Sequence, residues 1–341
     1  MKYNNIKKKY KKYFIGIQIL RTLFSFHILL FHCLNYSSLK SIMIKKIIIN
    51  VNIDLIMFFI ISFYFSYNSL VSRNTILIKE RINRLIIPYI VWPIIFYAIH
   101  IFANYKNSNQ LIKAKYLYYQ LIIGHGIHTV FWFQFNLIFL HIFFSIVILL
   151  NNTIYLLYLF LSGILCYLFI IKYNNKFFIK YNKIVAYSTR RIPFSYLYSL
   201  TGFFIHWINI EYEVNKYKMI IFFIFIILIA LYIYFRKIFI TFYSPIFINI
   251  FLSSSIFAIF LFIPFKVKNS NQYIYIIKYI TNYTGGVYCL HTKIRDFYIK
   301  YIIQKKSLTI FECVINYLIC YFICFICSKV FMNSNLKYLF I

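Results

Sequence analysis

Arg21 and His32 share the first long apolar run of the chain, from Phe14 to Leu34. A run of about 20 such residues crosses a bilayer, and titratable side chains inside one are costly enough to mark function. Eleven residues apart, at about 100° and 1.5 Å per residue, they fall on one helix face, roughly 16 Å apart along the axis. A guanidinium to hold an anionic group and an imidazole to move a proton would then line one path through the membrane. Taken alone, the pair is equally compatible with Arg21 snorkelling to one head-group layer and His32 resting at the other. His27 lies about 140° around the helix from His32 and faces elsewhere.

Three further constellations have the residue types for chemistry. Arg81 and Arg84, with Lys79 nearby, sit in KERINRLIIPYIVW; on a helix entering the third apolar segment they form one cationic patch suited to bidentate phosphate binding. Glu80 would neutralise part of it, and ordinary cytoplasmic-side positive charge is the plainer reading. Phe58-Phe59-Ile60-Ile61-Ser62 lies in the second segment, behind Asp54, the one acid well inside an apolar run. Asp54 needs a partner there, and Arg21 or His32 would suit; beside His32 it would orient the base. Thr284-Gly285-Gly286-Val287-Tyr288-Cys289-Leu290-His291 offers glycines for close helix approach and an i, i+3 Tyr288/His291 pair. His125, His128, Trp132 and Phe133 make a weaker patch before the fourth segment.

The elements that must position these residues are membrane helices. Of 341 residues, 62% are hydrophobic, 23% aromatic and 13% charged, with mean hydropathy +0.75, whereas soluble domains are about 25% charged. Spanning segments recur near 14–34, 43–66, 85–103, 130–150, 153–171, 193–210, 219–235, 244–264, 274–292 and 308–328. The expected fold is therefore all-α, a polytopic transmembrane helical bundle of about ten spans. A basic tail, 1–13, precedes one membrane domain, 14–330, and a short tail, 331–341, follows it. Pro88, Pro93 and Pro193 interrupt two of the segments, which buried helices tolerate. The connections 67–84, 104–129 and 172–192 read as loops too short to fold independently.

The net charge of +31 does not indicate nucleic acid: lysines scatter through every connection and no RNA or DNA motif is present. Anionic lipid head groups are the generic partner. Six lysines before the first span place the N-terminus in the cytoplasm, although the basic stretch 172–192 would then face outward. The first span is too long for a cleavable signal and has no small-residue cleavage site, so it reads as a signal anchor. Cys320, Cys324 and Cys327 share one face of the last segment as packing residues; no partner completes a zinc set, and no metal is expected.

In order along the chain, Arg21/His32, Phe58-Phe59-Ile60-Ile61-Ser62, Arg81/Arg84, Trp132-Phe133 and Tyr288/His291 resemble the motifs of the acyltransferase-3 family of polytopic O-acyltransferases. That family shows R-x10-H, FFxxSG[FY], RxxR, a WF pair and YxxH, so the resemblance covers most of the chain. The family glycine after the serine is Phe63 here. The resemblance implies a cytosolic acyl-CoA, usually acetyl-CoA, donating its acyl group to a hydroxyl of a carbohydrate or glycolipid in a plasma membrane or endomembrane. Arg81 and Arg84 would hold the CoA phosphates, Arg21 would grip the donor or polarise its thioester carbonyl, and His32 would be general base. Asp54, Ser62, Trp132, Tyr288 and His291 are further candidates. The competing expectation is a transporter or flippase with Arg21, Asp54 and His32 along its path.

Overall fold

Apolar runs separated by Asn, Lys and Ser form helices along the chain. The computed structural model describes residues 15–34, 54–103, 114–124, 131–150, 154–173, 191–207, 250, 253–257, 260–261, 275–276, 279–281, 283–304 and 308–332. The architecture is all-helical. Nine α-helices with defined bounds lie among these residues: α1 Ile15–Leu34, α2 Asp54–Val71, α3 Thr75–Ala103, α4 Ala114–Ile123, α5 Trp132–Leu150, α6 Tyr155–Tyr173, α7 Arg191–Trp207, α8 Thr284–Tyr298 and α9 Ile310–Met332. Helix α8 continues into a π-helical turn, Ile299–Ile303.

Among the described residues, four helices are long and apolar enough to cross a membrane, over Gly16–Leu34, Thr75–Phe102, Trp132–Leu150 and Phe311–Val330; Leu55–Val71 and Tyr155–Ile170 are shorter apolar helices. The expected segment 219–235, most of 244–264, the tail 1–13, the last residues 333–341, His125, His128 and most of 172–192 lie outside the described residues.

Helix α5 shows what solvent these helices are built for. It buries Gln134, Asn136, His141 and Ser145 while exposing Phe139, Ile142, Ile146 and Leu149. Polar groups inward and apolar groups outward is the pattern of a helix facing lipid, where intramembrane polar residues turn to the bundle interior.

The charged connection 67–84 is not the loop its composition suggests. Helix α2 runs to Val71, residues 72–74 make the turn, and α3 begins at Thr75, so Arg81 and Arg84 ride on the early turns of a 29-residue helix. A cap sets this start: Asn74 Oδ1 accepts the Leu77 N–H at 3.1 Å, satisfying one of the amide donors a helix start leaves unpaired. Arg73 takes the left-handed backbone region, φ 54°, and donates from Nη2 to the Ile148 carbonyl at 2.7 Å, placing a cation at the negative end of α5. Helix α3 continues through Pro88 and Pro93. The connection 104–129 also holds structure: α4 is tied to α3 by Tyr89 Oη, which reaches the carbonyls of Gln120 at 2.6 Å and Leu121 at 2.9 Å.

Two packed groups result. In one, α2 lies against α7 and α5 around buried Phe59, Phe63, Phe144 and Phe203. Gly202 of α7 brings the first two helices together, since a Cβ there would run into the Ile60 backbone. In the other, α1, α8 and α9 associate, with Phe26 stacked on Tyr321 at 4.2 Å and Leu29, Cys33 and Cys320 buried together. Cys320 and Cys324 are fully buried, and the Cys320 thiol donates to Asn316 Oδ1 at 3.1 Å. Tyr89 and Trp92 of α3, Ile138 of α5, Val287 and Leu290 of α8 and Cys324 of α9 join the two groups.

Helix α9 starts at a capping box. Thr309 Oγ1 accepts the Glu312 N–H at 3.2 Å, and Glu312 Oε2 accepts the Thr309 N–H at 2.8 Å. Thr309→Ala should cost about 1 kcal/mol, measured as a lower melting temperature in detergent. An unchanged melting temperature would show that the box adds nothing to stability.

Candidate functional site

Five helices surround a cavity of about 500 Å³, within the size range of small-molecule sites. Helix α1 contributes Arg21, α2 Phe58 and Ser62, α3 Arg81 and Arg84, α5 Phe133, and α8 His291. These residues come from all five sequence constellations and lie up to 270 positions apart. Three arginines face one space, and none of the described lining residues is a carboxylate.

The Arg81 guanidinium is held to α2. Its Nη2 donates to the Ser62 carbonyl at 2.7 Å and lies 3.4 Å from Ser62 Oγ. The same carbonyl accepts from Ser66 Oγ at 2.6 Å, and Ser66 Oγ is 2.9 Å from His141 Nε2. The carbonyl of Leu137 lies 2.8 Å from His141 Nδ1 and can only accept, so Nδ1 carries a proton. Ser66 Oγ thus bridges the Ser62 carbonyl and the His141 ring. Arg84 is differently placed: it pairs loosely with Glu80 at 3.9 Å on a half-exposed surface, the partial neutralisation expected from sequence.

Aromatic packing fixes another part of the wall. Phe133 meets Phe59 edge-on at 4.7 Å and Phe58 at 6.1 Å. Phe63, which stands where the resembled family has glycine, is fully buried against His141 at 4.3 Å and Phe144 at 4.7 Å. The close helix approach that such a glycine would permit comes from Gly202 of α7 instead.

At α8, His291 Nδ1 donates to the Val287 carbonyl at 3.0 Å, which in a neutral ring makes Nε2 the basic nitrogen. The His32 ring lies 5.0 Å from the His291 ring, tilted by 43°. Arg295 Nη1 donates to the His32 carbonyl at 3.2 Å and its Nε to Asp296 at 2.9 Å, anchoring the end of α1 to α8. Thus His291 is on the cavity wall and His32 stands beside it, while Arg21 lines the cavity from the same helix as His32.

The remaining candidates are less central. The Trp132 ring is covered by Arg191, whose guanidinium carbon is 4.1 Å from its centre. Asp54 is the first residue of α2 and Tyr288 is within α8, but both side chains lie outside the described residues. Gln134, Ser66 and His141 were not singled out from sequence; the signal was present as amide, hydroxyl and imidazole groups inside apolar spans. Among the described residues, no group of three His, Cys, Asp or Glu side chains could hold a metal ion. No protein-family model, curated protein or solved structure matches the chain.

Proposed function

We propose that the chain is a multi-pass membrane O-acyltransferase, of about ten spans with a cytoplasmic N-terminus. It moves an acyl group, acetyl by the family resemblance, from cytosolic acyl-CoA to a hydroxyl of a carbohydrate or glycolipid. The observation that supports this reading is the convergence of Arg21, Arg81, Arg84, Ser62 and His291 on one cavity, with His32 beside His291. The arginines supply the charge to hold CoA phosphates, and Arg21 also stabilises negative charge developing on the thioester carbonyl oxygen. The His32–His291 pair takes the proton of the acceptor hydroxyl as its oxygen attacks that carbonyl. The C–S bond then breaks, and the proton passes to the departing CoA thiolate.

The test is transfer of labelled acetyl from acetyl-CoA to endogenous acceptors in membranes expressing the chain, beside His32→Ala and Arg21→Ala. Label that depends on both residues supports the acyltransferase, and the labelled product identifies the acceptor. A cavity lined by three arginines, with no carboxylate among its described lining residues, also suits passage of an anion. Well-expressed wild type that transfers no label, yet carries an anionic substrate across vesicles without CoA, would replace the enzyme with a transporter.

A further inference from the structure

Gln134 follows Phe133 in α5 and lines the same cavity. It is only 8% exposed, and its Oε1 is buried without a hydrogen-bond partner among the described residues. A buried carbonyl left unsatisfied costs free energy, so one kept on a cavity wall points to a ligand that brings the missing donor. An anionic group cannot supply it: phosphate or carboxylate oxygens repel Oε1, and Arg21, Arg81 and Arg84 are their natural partners. Turning the amide over would add two N–H donors to a wall whose arginines already provide them. The ligand that fits both features carries an anion and, elsewhere, a neutral N–H or O–H.

The rest of the lining favours N–H. A sugar held against α5 would bring several hydroxyls, each needing a partner once desolvated, whereas the other α5 residues on this wall, Phe133 and Leu137, are apolar. The Ser25 and Thr284 hydroxyls already donate to the carbonyls of Thr22 and Thr281, each at 2.8 Å. The pantetheine arm, with two secondary amides and one hydroxyl spread along an alkyl chain, brings fewer polar groups to desolvate than a sugar, and each amide N–H asks for one acceptor. Resting on the acyltransferase reading, we infer that Gln134 is a specificity residue that accepts an amide N–H from the pantetheine arm of the acyl donor while the arginines hold its phosphates.

The experiment measures binding to the purified full-length chain in lipid nanodiscs. The probes are CoA and adenosine 3′-phosphate 5′-diphosphate, which has the nucleotide and its phosphates but lacks the amide arm. Gln134→Met is expected to weaken CoA binding by about tenfold and leave the nucleotide's affinity unchanged, whereas Arg81→Met weakens both. Equal loss for both probes, or no loss for CoA, overturns the inference. A raised KM for the hydroxyl acceptor with CoA affinity intact also overturns it, by placing Gln134 on the acceptor. If wild type binds neither probe, the acyl-CoA reading itself fails and takes the inference with it. Should Gln134→Met lose its folded elution profile, Gln134→Asn, which keeps the amide but withdraws it by one methylene, carries the same expectations.

Discussion

Arg81→Met should lower kcat/KM for acyl-CoA by roughly thirty- to thousand-fold, the kinetic equivalent of losing ~2–4 kcal/mol from a hydrogen-bonded charge contact in a desolvated site. The melting temperature of the variant should barely move. Arg81 spends one N–H on the Ser62 carbonyl, but Ser66 Oγ donates to that same carbonyl at 2.6 Å. Removing the guanidinium therefore leaves no orphaned acceptor in α2, and the loss falls on the ligand. Arg81→Lys should recover little, because an ammonium cannot hold the Ser62 carbonyl and fork onto a phosphate together. Arg84→Met should cost much less, since Arg84 is half exposed and shared with Glu80, where solvent weakens the charge. Steady-state kinetics with varied acyl-CoA decides the matter; comparable losses for Arg81→Met and Arg84→Met would show that the anion is not held at the Ser62 end of the patch.

Arg21 and His32 were conspicuous in the sequence because charge inside an apolar run has few structural excuses. Their common helix followed from spacing alone, and α1 runs unbroken through both. Spacing could not reveal that His32 would lie against a ring 259 positions later, or that Arg81 would reach back to a carbonyl on α2. Those are facts of helix packing. The stretch 67–84 differs from a loop for a local reason: four cations and a glutamate from Arg73 to Arg84 look like solvated loop, yet Asn74 is a good N-cap, Arg73 sits in the turn before it, and Lys79, Glu80, Arg81 and Arg84 ride on the first turns of α3. Gln134 was overshadowed by its aromatic neighbours in Trp132-Phe133-Gln134-Phe135, although an amide in a membrane helix carries the same desolvation warning as a weak charge. Phe63 taught the opposite lesson. It stands where the resembled family has glycine, which left the local helix packing open; the close approach of α2 to its neighbour is made at Gly202 of α7, and only the folded chain pairs the two helices.

That contact gives Gly202→Leu a large expected effect on folding. A Cβ at Gly202 would overlap the Ile60 carbonyl oxygen, with the Ile60 Cα only 2.8 Å away. Both obstacles are backbone, so no rotamer change relieves them and α2 and α7 must part. Parting opens the aromatic layer of Phe59, Phe63, Phe144 and Phe203, at a cost at or beyond the upper end of the ~1–3 kcal/mol typical of overpacking. Small residues at such crossings let van der Waals packing, the main force between membrane helices, operate at close range. Gly163→Ala is the matched control. Its Cβ would meet the Leu200 Cδ2 methyl at 2.7 Å, the far end of a side chain that can swing away, and alanine's advantage of about 1 kcal/mol over glycine in a helix offsets the adjustment. Thermal unfolding in one detergent should therefore separate the two variants sharply, with Gly163→Ala near wild type. The damage from Gly202→Leu should also reach the cavity, because Ile60 is two residues from Ser62 and a displaced α2 withdraws the carbonyl that holds Arg81. A Gly202→Leu protein as stable as wild type would mean that α2 and α7 do not cross this closely; one that is less stable but binds CoA normally would uncouple the crossing from the site.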